Sequence, residues 1–440
     1  MRDTIFGLTP IWTATGILVL TYAAIVTERV NRAIVAGVGA CLMIATGVLD
    51  QDTAIAGVDF NTIMLLAGMM IIVGVSRRSG MFQYVAVWTA KRARGRPAGI
   101  LFGLTIATAL MSALLDNVTT VLLIVPVTLA IAAELRAPAY PFLIAEILAS
   151  NIGGTATLIG DPPNILIGSQ VGLTFNQFVL NLSPVVLVIL AVAATLLHLH
   201  YGRGLATDEE HRLRVLAMRE RDAISDPVLL RQSLAVLAAV VLAFVLSREI
   251  GLEPGTIAMF GAAILVLLDN WAHPAHKQSE RVHAAFGDVE WITLFFFIGL
   301  FVVVAGVERA GLLDWLGERL VQATGGDLAL TMSAVLWGSA ILSAIVDNIP
   351  FVATMIPLIK GLAPEMGGAE AIEPLWWALA LGACLGGNGT LVGASANLTT
   401  AGLAERAGVP FRFWDFTKTA FPLMLLTIAI AQTYLLWRYL

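Results

Sequence analysis

Two short polar steps sit inside the apolar stretches of this chain. Leu115-Asp116-Asn117 runs on to Pro126, and Val346-Asp347-Asn348 runs on to Pro357, an identical offset of 231 residues. Thr119 and Thr120 follow the first pair and Thr354 follows the second. A carboxylate at membrane depth costs several kcal/mol, so by default it has a partner or a function such as carrying a cation or a proton. A second kind of motif lies downstream. Ser150-Asn151-Ile152-Gly153-Gly154-Thr155-Ala156-Thr157-Leu158-Ile159-Gly160-Asp161-Pro162-Pro163-Asn164 interrupts an apolar segment, and its three glycines and two prolines cannot continue a helix unbroken. Its counterpart runs from Gly386-Gly387-Asn388-Gly389-Thr390 to Ser395-Ala396-Asn397, offset by 233. Broken helix ends expose N–H and C=O groups, which are tolerated at depth only where they line a cavity or hold an ion.

The elements that must hold these residues are helical and apolar. Of the 440 residues 58% are hydrophobic and 13% charged, and the mean hydropathy is +0.85. No soluble fold of this length could solvate such a surface, which excludes a soluble enzyme, a nucleic-acid binder and a disordered chain. Cys41 and Cys384 are the only cysteines, too few for a disulfide framework or a cysteine-based metal site. No structural metal and no cofactor is expected. Long segments rich in Leu, Ile, Val and Ala recur from residues 8–26 to 419–437, without the alternation of a barrel strand. The first is too long for a signal peptide and is read as a span. Placing the N-terminus outside puts twenty of the 26 Lys and Arg on inner loops, among them Arg29, Arg32 and the run from Arg203 to Arg231. Arg2, Arg248, Arg309, Arg319, Lys360 and Arg438 stay outside, a strong positive-inside pattern with both termini out.

The matches recur in order. Asp59-Phe60-Asn61-Thr62 aligns with Glu290-Trp291-Ile292-Thr293, and Gly80 with Gly311. The chain is therefore read as two halves, 1–225 and 226–440, joined by the basic loop 201–231. One half starts outside and the other inside, so the repeats are inverted, as in many secondary transporters. Each half holds scaffold helices, a hairpin (97–134 or 328–363) and a broken helix (141–167 or 375–403). The expected fold is an all-α polytopic membrane protein with about ten spans, two re-entrant hairpins and two broken helices. Each Asp-Asn pair is read either as a surface turn between full spans or as the tip of a re-entrant hairpin. Inversion brings the tips face to face only in the second case, and the repetition favours it. Residues 81–94 read as an amphipathic helix on the inner surface, with 308–323 as its outer counterpart. Glu146 is open to two readings, a proton relay or a structural hydrogen bond. The Trp residues mostly fall at segment ends, as interfacial belts do.

The run from Asn151 to Asn164 closely resembles the signature of arsenite permeases and the melanosomal P protein. On that motif and the paired tips, nearly the whole chain resembles the ion transporter superfamily and its ArsB/NhaD clade. The resemblance implies an elevator-type carrier of the inner membrane whose hairpin tips meet the breaks at the substrate site. The site residues would be Asp116, Asn117, Thr119, Thr120, Asn151, Gly153, Gly154, Thr155, Thr157, Asp161 and Asn164, with Asp347, Asn348, Gly386, Gly387, Asn388, Thr390, Ser395 and Asn397 from the second half. Asp116, Asp347 and, on its relay reading, Glu146 would couple protons. Related dicarboxylate carriers have Ser-Asn-Thr tips; Asp116 and Asp347 here take the Ser position. Two carboxylates repel an anionic substrate and favour a cation, protons, or a neutral solute exchanged for protons. Two substrate readings stay open. Arsenite or antimonite would leave the cytoplasm in exchange for protons, or sodium would be the exchanged cation. The family leaning is to arsenite. Kinship also raises a soluble ATPase subunit docked on the basic loops, and a homodimer is a further option. The chain carries no Gly-x-Ser-x-Gly elbow, zinc motif or P-loop, so it is read as a transporter, with an intramembrane enzyme only as a remote alternative.

Overall fold

The computed structural model describes residues 7, 9–27, 29–271 and 273–440. Arg2, counted above as an outer charge, and Leu8, the first residue of the first apolar segment, lie outside the described residues. All regular elements among the described residues are helical. The first half opens with α1 (Pro10–Val26), α2 (Arg32–Ala45), the short α3 (Gln51–Ala56), α4 (Phe60–Arg77) and α5 (Met81–Arg92). A hairpin of α6 (Pro97–Ser112) and α7 (Asn117–Glu134) follows. α8 (Tyr140–Gly154) and α9 (Pro162–Val171) flank the first break, and α10 (Phe175–Tyr201) ends the half. The linker contains α11 (Glu209–Ala217).

A second series of helices follows the linker. It runs through α12 (Pro227–Val245), α13 (Ser247–Ile250), α14 (Pro254–Asn270), α15 (Ala275–Gly287), α16 (Trp291–Arg309) and α17 (Leu312–Thr324). Then come a hairpin of α18 (Leu328–Ile345) and α19 (Asn348–Leu362), the broken pair α20 (Glu373–Gly386) and α21 (Ser395–Arg406), and α22 (Phe413–Tyr439). Seven of these helices are long and apolar enough to cross a membrane, which makes this a multi-pass membrane protein. The broken helices are too short alone: α8, at 15 residues, rises about 22 Å against a hydrocarbon core of about 30 Å.

Two helix ends differ from the segments read in the sequence. α9 runs on to Val171 because Gly172, at φ 76°, is the first residue able to turn the chain left-handed. The surface helix expected at 308–323 starts at Leu312, because Glu308 and Arg309 still close α16. Gly80 and Gly311 both adopt φ 83° and start α5 and α17, so this match in the sequence reflects a shared backbone turn. The Trp belt has an exception. Trp12, Trp271, Trp414 and Trp437 are exposed near helix ends, but Trp377 is fully buried, edge-on to Phe178 at 5.3 Å.

Packing crosses between the halves. α2 lies against α16, and α4 against α14. Each contact closes on a glycine: a Cβ on Gly299 would meet the Ala36 carbonyl carbon at 2.7 Å, and one on Gly68 the Ala258 carbonyl carbon at 2.6 Å. Small residues of this kind let membrane helices approach backbone to backbone. α6 packs on α8 and α18 on α20 within each half, whereas α7 packs on α21 and α19 on α9 across them. Asp269 on α14 ties Arg78 to Arg281, and Arg77 pairs with Asp288 at 2.6 Å. The linker is docked: Ser225 N donates to Ser79 O at 3.1 Å, and Lys91 Nζ reaches Glu220 at 2.5 Å. That ammonium holds the Glu220 carboxyl below the usual carboxylate range.

Candidate substrate and ion site

Both hairpin turns point into one buried polar cluster between the two breaks. Asp116 caps α7: its carboxylate accepts from Thr119 N at 2.7 Å and from the Thr119 hydroxyl. Asp347 caps α19 in the same way, accepting from Ile349 N at 3.2 Å. The next residue of each turn reaches a break. Asn117 Nδ2 donates to Asn151 Oδ1 at 2.9 Å, and Asn348 Nδ2 to Asp161 Oδ1 at 3.4 Å. Asn151 then joins the halves, donating through Nδ2 to Asn388 Oδ1 and Asn397 Oδ1, both at 2.9 Å. All these amides are buried. Asp116 and Asp347 both lie within electrostatic reach of Asp161. Among the described residues, Asn117 Oδ1 and Asp161 Oδ2 of this cluster are buried without a hydrogen-bond partner, as are Thr120 Oγ1, one turn into α7, and Thr400 Oγ1 on α21.

The breaks are held open by matched clamps. Asn164 Nδ2 donates to the carbonyls of Thr155 at 3.1 Å and Thr157 at 2.8 Å; Asn397 Nδ2 donates to those of Gly387 at 2.8 Å and Thr390 at 2.9 Å. Thr157 Oγ1 bonds Ala113 O at 2.6 Å, and Thr390 Oγ1 bonds Ala344 O at 2.5 Å. Ser112 and Ser343 bond the carbonyls of Ser150 and Ala383, each at 2.6 Å. The Asn164 and Asn397 clamps satisfy carbonyls beyond the helix ends, whereas the Ala383 carbonyl also accepts from Gly387 N at 3.2 Å.

Comparison with known proteins agrees with this architecture. The family model for the CitMHS citrate transporters matches residues 22–382. The chain belongs to the CitMHS family. Its CitMHS-type relatives include an uncharacterized transporter of Mycobacterium tuberculosis, 43% identical over 97% of this chain and 98% of that one. The human P protein is 34% identical over 97% of this chain and 60% of its own length. Among solved structures, the Alcanivorax borkumensis YdaH transporter superposes with a TM-score of 0.61 at 13% identity over 98% of both chains. Neisseria gonorrhoeae MtrF, described as one of a class of antimetabolite efflux pumps, gives 0.56 at 10% identity, over 98% of this chain and 95% of its own. At such identity these two show the fold alone. Family and relatives make this CitMHS chain a secondary transporter, not an enzyme.

The polar cluster divides the expected residues into those that meet in it and those bound elsewhere. Asn117, Asn151, Asp161, Asn348 and Asn388 meet in the cluster, with Asp116 and Asp347 at the turns that feed it. Thr119, Thr155, Thr157, Asn164 and Thr390 are committed to backbone or capping bonds, and Asn397 both clamps and joins the network. Gly153, Gly154, Gly386 and Gly387 let the hairpins and broken ends approach. Ser395 Oγ lies 3.0 Å from Asp347 Oδ2. Glu146 Oε1 accepts from Thr128 of α7 at 2.5 Å, and its Oε2 is buried without a hydrogen-bond partner among the described residues. Sequence reasoning missed Arg32, which it counted only as a loop charge. Arg32 Nη1 reaches Asp347 Oδ2 at 2.8 Å, and its guanidinium lies over the Phe296 ring at 5.0 Å. It missed Thr400 too, one turn beyond Asn397.

Proposed function

We propose that this CitMHS-family chain exports arsenite or antimonite from the cytoplasm in exchange for protons. The carrying observation is the composition of the cluster: an amide network with unpartnered carboxylate, amide and hydroxyl atoms around it. Arsenite at neutral pH is the uncharged trihydroxide, whose hydroxyls suit Asn117, Thr120, Asp161 and Thr400. Asp116, with no cation bonded to it among the described residues, is the proton carrier. A free citrate anion would meet the carboxyl groups of Asp116 and Asp161 with no cation left to pair with it, because Arg32 is already bound to Asp347. Cys384 Sγ is engaged with Asn164 Oδ1 at 3.5 Å, so no thiolate cage holds a metalloid too tightly for release.

In this reading the chain sits in the inner membrane with its basic loop in the cytoplasm, and belongs to the ArsB/NhaD branch. Its halves are inverted repeats, and their hairpins and breaks move together as an elevator against a scaffold of α1, α2, α4, α12, α14 and α16. The meeting of both turns in one interior cluster supports re-entrant hairpins. Sodium is the second reading, favoured by the position beside Asp347 and Ser395, which already accommodates a positive group. A homodimer and a soluble ATPase on the basic loops belong to the same reading.

Energised everted vesicles decide between the substrates. The expected result is arsenite accumulation that an uncoupler abolishes and sodium leaves unchanged. Sodium dissipating the proton gradient, with no arsenite uptake, would replace arsenite by sodium.

A further inference from the structure

The two hairpin turns are not equivalent. Asp116 is held only by its own helix start, through Thr119. Asp347 is held by another part of the molecule. Arg32 opens α2, behind the Asn31 cap, and α2 packs along α16. From there Nη1 reaches Asp347 Oδ2 at 2.8 Å and Ser395 Oγ at 2.5 Å, while Nη2 lies 3.4 Å from Thr293 Oγ1 of α16. Thr293 in turn donates to Glu290 at 3.1 Å. One guanidinium thus bonds the second hairpin turn, the start of the helix after the second break, and a helix of the opposing layer. The contact is poorly hydrated: the Asp347 side chain is 11% exposed and that of Arg32 is 26% exposed. Tyr22 on α1 adds a neighbouring bond, its hydroxyl donating to Pro350 O at 2.7 Å.

A cavity of about 270 Å³ opens beside this contact, lined by Val30, Asn31, Arg32, Asp347, Val392 and Thr399 among others. It lies at the end of the bundle where α1 turns into α2. A second cavity, of about 350 Å³, lies between α9 and α19 and includes Asp59, Glu308 and Lys360. Those residues mark the other end of the bundle. The Arg32 contact therefore forms part of the wall of the first of these cavities, beside the second turn.

We propose that Arg32 is a positioning residue that latches the second hairpin to the α2–α16 layer, and that neutralising Asp347 releases it. This rests on reading the hairpins and breaks as one moving unit. In a partly desolvated Arg–carboxylate contact, removing either partner leaves the other charge buried and poorly compensated. The two Asp residues then have different work. Asp347 reports to the scaffold through Arg32, and Asp116 remains for the transported species.

The test reads conformation without any solute gradient. Thr399→Cys, in a Cys41→Ser background, places a thiol on the cavity wall, and a membrane-impermeant maleimide is applied from the face bearing the 201–231 loop. Arg32→Ala and Asp347→Asn should each change the labelling rate at least fivefold, and the charge exchange Arg32→Asp with Asp347→Arg should return it to within twofold. Arg32→Gln, which keeps a hydrogen-bond donor but no charge, carries the same expectation should the alanine variant not fold. Labelling at the parental rate in the folded single variants would overturn the latch. So would an exchanged pair that labels like the single variants. Failure of the parent to move arsenite would remove the substrate reading and leave this result standing.

Discussion

Replacing Asn151 with alanine is expected to abolish transport and lower stability together. The side chain is fully buried and bonds Asn117, Asn388 and Asn397 at once. Removing it leaves one amide donor and two amide oxygens buried without that partner. Each such group costs about 1–3 kcal/mol, so the loss is roughly 3 kcal/mol or more. At 1.36 kcal/mol per decade, that is a factor of order one hundred in the population of the assembled site. Thermal unfolding followed by tryptophan fluorescence, beside flux in vesicles, checks both effects. Asn151→Gln, which keeps the amide but displaces it by one methylene, should recover part of the stability and little of the flux. An alanine variant that unfolds and transports like the parent would remove Asn151 from the centre of the site.

The second large effect belongs to Gly153→Ala. A Cβ there would sit 2.1 Å from Ala109 O and 2.6 Å from Ala109 Cα, both backbone atoms of α6. No rotamer change relieves a clash with backbone, so the first hairpin must move away from its break. Overpacking costs about 1–3 kcal/mol where side chains can adjust, and more is expected here. The repeat gives an internal check. Gly386→Ala places its Cβ 2.5 Å from Ala340 O and should fail in the same way. Gly402→Ala, with no heavy atom within 4 Å of the new Cβ, should be neutral or gain up to about 1 kcal/mol of helix propensity. The measurement is the yield of monodisperse protein on size exclusion with its unfolding midpoint. Equal yields for Gly153→Ala and Gly402→Ala would contradict the packing argument.

What could be read from the residues is what the repeat carries. The Asp-Asn turns, the two breaks and the glycine turns at Gly80 and Gly311 all recur at nearly constant offset, and each match corresponds to a backbone event. The site itself departs from the repeat. At the offset of the breaks, Cys384 stands where the first half has Asn151, Ala394 stands opposite Asp161, and Thr155 stands opposite Asn388. The hub amide and the third carboxylate therefore occur once each. The motif named them without showing that Asn151 would join the halves, that Thr119 would be tied to the Asp116 carboxylate, or that Thr155 and Thr157 would be tied to backbone. Arg32 was invisible for a different reason. It lies 315 residues from Asp347 in sequence, and an Arg at the start of an apolar helix looks like any other loop charge. Only the packing of α2 along α16 brings its long side chain to the turn.

The most direct measurement uses purified protein in liposomes, with an imposed pH gradient as the only source of energy. Lumenal pH and arsenite are followed together, for the parent and for Asp116→Asn. Moving one charge through a membrane potential is worth about 2.3 kcal/mol per 100 mV, so the potential is clamped to isolate proton exchange. The expected result is uphill arsenite movement that tracks the pH gradient in the parent, and its loss in a folded Asp116→Asn variant. Arsenite that equilibrates regardless of the gradient, or an Asp116→Asn variant that couples like the parent, would contradict proton exchange through Asp116.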